Sequence, residues 1–144
     1  MLPLAHAGAS GVISILVWVY FKSAGYAAIS FIAGVFIDLD HLIDYYLNHP
    51  FTARIKEIYA TCAAMRLKKI YIVLHSYELI ILLWISIFAF GLGNFWKAIA
   101  IGMTQHIIFD QITNPINTYG YFLAYRITKG FNTHLLIEEM KGRI

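Results

Sequence analysis

Charge is scarce in this chain. Asp, Glu, Lys and Arg make up 13% of its 144 residues, about half the ~25% of a typical soluble domain. A soluble domain of this size has a large surface for its volume and needs charged side chains to cover it. An ordinary soluble enzyme, a disordered chain and a nucleic-acid arm are therefore disfavoured. The net charge of +3, from 11 basic and 8 acidic residues, is too small to draw a nucleic acid. Cysteine is scarcer still: Cys62 stands alone, which excludes an intramolecular disulfide and a cysteine-rich zinc site. The first apolar run starts at once, without a basic stretch before it, and carries His6, so no cleavable signal peptide is expected. Internal repeats and low-complexity segments are missing as well. What is abundant is apolar: 60% of the residues come from the set AVILMFWYC. The length allows one domain, and the composition points to a polytopic membrane protein.

Four apolar segments follow one another. Leu4 to Phe21 is uncharged and long enough to cross a bilayer. Further spans are expected at about 24–46, 70–91 and 95–112, giving an all-α, four-helix transmembrane bundle. Between the second and third, in about 51–67, Ile55, Ile58, Tyr59 and Cys62 recur at helical spacing among Arg54, Lys56, Arg66, Lys68 and Lys69. That pattern predicts a basic amphipathic helix on an anionic bilayer surface, the plainer alternative being a loop helix packed on the bundle. Thr113-Asn114-Pro115 breaks the fourth helix. Tyr119 to Thr128 reads as a short interfacial helix, and Phe131 to Ile144 as a polar tail. Lys22 and Lys97 are the lone bases of the first and third connections. Five bases occupy the second connection, and Arg126, Lys129, Lys141 and Arg143 follow the fourth helix. The positive-inside rule then places both termini in the cytoplasm, with the inner membrane as the expected location.

The polar residues fall at one level of that topology. His6 opens the first helix. Asp38, Asp40, His41 and Asp44 close the second. His75 and Glu78 lie near the start of the third, and His106 and Asp110 near the end of the fourth. On a helix His106 and Asp110 are about 40° apart. Asp38, His41 and Asp44 form a stripe, with Asp40 to one side. Imidazole and carboxylate are the ligands of hydrolytic zinc, and carboxylates can bridge two metals. Several carboxylates at a membrane boundary are costly without a compensating cation, and Lys22 and Lys97 sit at the far end. Taken singly, each group has an ordinary reading: a hydrogen-bonded histidine, a solvated helix end, a polar residue at the interface. Four groups from four helices at one depth point to a shared metal site. Glu78 or Asp44 would act as general base or support a ligand, and Arg126 would contact phosphate. His49 and His134 read as surface residues.

At these residues the chain resembles the membrane-bound metal-dependent hydrolases, the family that includes LexA-regulated inner-membrane hydrolases. The resemblance rests on His6 followed by Ala7-Gly8-Ala9-Ser10-Gly11, on Asp38-Leu39-Asp40-His41, on His75-Ser76, and on His106-Ile107-Ile108-Phe109-Asp110 with Thr113 and Pro115. It implies an all-helical membrane protein with a zinc-type site, distantly similar to zinc-dependent phospholipase C and P1-type nucleases. It carries over His6, Asp38, Asp40, His41, His75, His106 and Asp110 as metal ligands. Two positions depart from the family pattern. Ile37 stands where a proline commonly precedes the first Asp, and Ile70 to Leu74 lacks the family's His-Arg pair.

The expected function is therefore metal-assisted hydrolysis of a phosphoester in a membrane lipid at the cytoplasmic leaflet. The expected cofactor is two or three divalent ions, zinc foremost. The rivals are a divalent-cation or proton transporter, and a non-catalytic protein in which metal staples helices together. Against transport, Val12 to Tyr20 and Ile80 to Phe90 offer only Ser14 and Ser86.

Overall fold

Helix α1 (Pro3–Phe21) ends at Lys22, whose φ of +53° reverses the chain. The side chain of Ser23 then accepts the Tyr26 amide and caps α2 (Ala24–Phe36). A 3₁₀ turn (Ile37–Leu39) leads directly into α3 (Asp40–Asn48). Helix α4 (Ile55–Ala63) and a non-helical segment precede α5 (Tyr77–Ala89). Gly91, at φ +61°, closes α5 before α6 (Asn94–Thr113). A second 3₁₀ turn (Thr118–Tyr121), α7 (Leu123–Thr128) and α8 (Thr133–Lys141) complete the chain. The computed structural model describes residues 3–64, 66–114, 116 and 118–141. Pro115 and Arg143, both used in reading the sequence, lie outside the described residues. Among those residues the protein is all-helical, with one isolated bridge between Lys69 and Asn132.

Among the described residues, two stretches are long and apolar enough to cross a membrane: Leu4–Phe21, and Ala24–Asn48 taken through the 3₁₀ turn. The expected third span is shorter than the sequence predicts. Residues 70–76 are not helical, and α5 has 13 residues, about 20 Å against a hydrocarbon core of ~30 Å. The polar tail expected from Phe131 onward contains helix α8 instead.

Helices α1, α2 and α6 form the centre of the molecule, and α5 leans on α6. Small and polar residues line their contacts. Ser10 accepts a hydrogen bond from Gln105, and a Cβ at Gly102 would collide with the Ser30 carbonyl. Gly34 is equally crowded, by Gln105, Ser10 and Gly102. Only glycine allows backbones this close, as in helix packing within bilayers. The outer surface has the opposite character: Val12, Ile15, Leu16, Trp18 and Val19 on α1, and Ile81, Leu82, Ile85 and Phe88 on α5, are all exposed.

Helix α4 turns Ile58 and Cys62 inward, against Tyr45, Leu67, Ile70, Ile72 and Leu136. Ile55 faces outward. A second apolar cluster joins Ile37, Ile80, Ile107, Ile116 and Tyr121.

Candidate metal centre

His106 and Asp110 face the bundle from the last two turns of α6, four residues apart on one side of the helix. His6, in the first turns of α1, reaches them: its Nε2 lies 3.1 Å from Oδ1 of Asp110, and its ring stands 4.5 Å from that of His106. Asp38 enters from the 3₁₀ turn. Its Oδ1 is 3.3 Å from Nε2 of His106, 3.4 Å from Nε2 of His75 and 3.7 Å from Nε2 of His41.

His75 is not on a helix, contrary to the sequence reading. It sits in a turn near the end of the non-helical segment 70–76, its amide donating to the Ile72 carbonyl (3.1 Å), just ahead of the N-cap residue Ser76. An apolar run with helical potential is held open there by tertiary hydrogen bonds. The Asp44 carboxylate accepts the amides of Tyr71 (2.8 Å) and Ile72 (3.2 Å). Asp40 accepts the amide of Leu74 (3.0 Å). Arg126, fully buried, donates through Nη1 to the carbonyls of Tyr71 (2.7 Å) and Ile72 (2.8 Å), and through Nη2 to that of His75 (3.3 Å). Ile72, gripped from both sides, adopts a φ of +23°, a strained conformation for a β-branched residue. The three charged side chains hold His75 in place.

The outcome is a group of four ligand atoms: Nε2 of His75, Nε2 of His106, Oδ1 of Asp38 and Oδ2 of Asp110. Five of their separations are 3.2, 3.3, 3.4, 3.5 and 3.7 Å. Ligands at 2.0–2.1 Å from a tetrahedral zinc stand about 3.3–3.4 Å apart, so the spacing fits one such ion. Asp110 uses its other oxygen toward His6. In each of two triads, His6–His106–Asp110 and Asp38–His41–His75, the ligand atoms lie within 4.8 Å of one another, and Asp38 and Asp110 each approach a histidine of the other triad. The described residues thus offer two adjoining groups that could hold a metal ion.

The protonation pattern agrees. Nδ1 of His106 lies 2.6 Å from the Gly34 carbonyl, which only accepts, so that nitrogen carries the proton. Nδ1 of His75 is bracketed by the Asp40 oxygens at 3.0 and 3.1 Å. In neutral rings both Nε2 atoms then present lone pairs to the two carboxylates. This is the arrangement by which outer partners orient metal-binding histidines. Asp40 thus lies behind His75, away from the four-atom group. Both Asp110 oxygens, Oδ1 of Asp38, Nε2 of His41 and both ring nitrogens of His6 are buried without a hydrogen bond, and a cation is one partner that would satisfy so many such atoms gathered together. Burial would pull the His75 imidazole down, but the Asp38 and Asp40 carboxylates beside it push it up to about 10. The pocket favours positive charge at Nε2, whether a proton or a metal.

Of the residues singled out in the sequence, His6, Asp38, His41, His75, His106 and Asp110 meet. Asp44, Glu78 and Arg126 do not. Glu78 accepts the amides of Leu123 (2.9 Å) and Ala124 (3.0 Å) and caps α7. Arg126 was expected to touch phosphate. Its Nη atoms are instead engaged by backbone carbonyls, and burial lowers its pKa from the usual arginine value. His134 is exposed as expected, whereas His49 is half-buried and stacks on Tyr45. The carbonyl of Gly34 escaped the sequence reading, because a backbone acceptor carries no residue-type signal. Its position four residues before Asp38, on the same helical face, is the one available clue.

A scan against protein-family models and searches of curated proteins and solved structures find no match to this chain.

Proposed function

We propose that this protein is a membrane-embedded, metal-dependent hydrolase that cleaves a phosphoester of a lipid or amphiphile at the cytoplasmic leaflet. The observation that carries the reading is the convergence of two carboxylates and two imidazoles at tetrahedral edge lengths, from three separate parts of the chain. In this reading Asp38, His75, His106 and Asp110 hold the central ion. His6 and His41 would add ligands at either end of the set. Zinc suits this mixture of nitrogen and oxygen ligands. A bound divalent ion supplies Lewis acidity and makes hydroxide available near neutral pH.

The chain's own residues do the rest. Asp40 and the Gly34 carbonyl fix the two rings. Arg126 and Asp44 shape the loop that presents His75. Asp38, 32% exposed, and His41, 15% exposed, form the accessible edge, where a substrate phosphate meets the cluster. The exposed apolar faces of α1 and α5 support a lipid surrounding, in which a headgroup would reach this edge while the tails keep apolar neighbours. The five basic residues between α3 and α5 support a cytoplasmic position for that edge. A through-path for ions lacks support, because the polar contacts of α1 stop at Ser14 and give way to Val17.

The test is hydrolysis by detergent-purified protein, loaded with zinc or manganese, of a panel of phosphomonoesters and phospholipids. Turnover that chelator and His106→Ala both abolish supports the reading. Metal-dependent stability without turnover of any phosphoester would instead make the ions a staple between helices.

A further inference from the structure

An apolar groove of about 410 Å³ runs along the outside of the α2–α6 seam. One wall carries Ile29, Ile32 and Ile37, the other Ile99 and Met103, and Leu74 contributes at one end. The two helices run parallel, since Ser30 meets Gly102 and Gly34 meets His106. Both walls therefore lead from the metal centre toward the opposite membrane face. Ile29 to Ile37 alone covers about 12 Å of helix. At one end the groove is lined by Ile37 and Leu74, the chain neighbours of Asp38 and His75, and Asp38 is the most exposed of the four ligand residues.

We propose that this groove holds one acyl chain of the substrate lipid, with the lipid's phosphate at the Asp38–His41 edge. The proposal rests on the metal-hydrolase reading and adds where the lipid's tail lies: a chain long enough to run beside α2 and α6. Its physical basis is shape and continuity. A chain leaving the bilayer for this groove gains little hydrophobic free energy, since both surroundings are apolar, so a channel of matching direction that ends at the ligands is what selects it. For a substrate dissolved in water, each methylene entering the groove tightens binding roughly fourfold.

The experiment uses the full-length protein in phosphatidylcholine vesicles doped with phosphatidic acid bearing a diazirine midway along one chain. Photolabelled positions are mapped by mass spectrometry, and metal content is measured on the same sample. Adducts are expected to concentrate on residues 29–37 and 95–103, at least fivefold above the outer face of α1. Ile99→Trp and, separately, Ile32→Trp should remove most of them without changing metal content. A diacylglycerol probe with the same diazirine should label the groove several-fold less, because it has no phosphate to anchor. Labelling spread evenly over α1 and the groove, or indifferent to both substitutions, overturns the proposal. So does an unlabelled groove accompanied by a dimer mass, which would mean that a second copy of the chain covers it. In these cases normal metal content leaves the hydrolase reading standing, whereas a protein without metal sinks that reading and this one together.

Discussion

Nε2 of His75 faces Nε2 of His106 across 3.2 Å, while the Nδ1 atoms of both rings are engaged by acceptors. Two neutral imidazoles would not choose this approach, since it opposes lone pairs. With Asp38 and Asp110 closing on the same point, a positive charge between them resolves the conflict. The carboxylate behind His75 then has a role distinct from those in front of it.

Asp40→Asn should separate these roles. The amide can still meet Nδ1 of His75 but no longer bears charge, so metal affinity should fall about 10- to 100-fold with the stoichiometry recoverable at high metal concentration. Asp110→Asn should lose metal outright. Titration of the apo proteins with zinc against a competing chelator distinguishes the two, and equal losses would show that Asp40 is itself a ligand.

Arg126→Met should destabilise the protein by about 3 kcal/mol or more, because it strands the buried carbonyls of Tyr71, Ile72 and His75. Metal affinity should drop with it, as His75 loses its fixed position. Chemical unfolding in detergent, followed with and without zinc, provides the measurement. A variant as stable and as well loaded as wild type, but inactive, would return Arg126 to the phosphate-binding role expected from sequence.

These two residues show what the sequence could and could not reveal. His106 and Asp110 were legible because their relationship is local: a four-residue step on a helix puts both on one face. His6 and Asp38 were legible as a level, because apolar lengths and base counts order the helix ends. The helical reading of 70–91 failed over its first seven residues. Ile70 to Leu74 has the composition of a buried helix, and what opens it is a set of bonds from Asp40, Asp44 and Arg126, residues up to 55 positions away. The same non-locality hid the work of Glu78 and Arg126. In so apolar a chain a charged side chain marks either a site or a structural clamp, and only its partners tell which. The α2–α6 contact was equally silent, because Gly34 and Gly102 acquire meaning through facing each other.

Cys62 offers a pH-dependent check on the packing of α4. Burial, reinforced by the Asp44 charge, pushes its thiol up to about 11 from a usual 9.0. The folded state thus holds this proton more tightly than the unfolded chain. The stability it contributes is complete below pH 9 and disappears as pH rises through about 11. Alkylation of the native protein with iodoacetamide should be slow at pH 8, should accelerate up to about pH 11, and should be fast at pH 8 once the chain is unfolded. Native reactivity at pH 8 equal to that of the unfolded chain would mean that α4 does not pack as described.

Metal stoichiometry, measured by elemental analysis of protein purified without chelator, bears on everything above. Wild type should carry at least one zinc, manganese or iron per chain, and His106→Ala should carry markedly less while remaining helical by circular dichroism. A well-folded wild type that holds no such metal, and whose unfolding ignores chelator and added zinc alike, would contradict the metal centre.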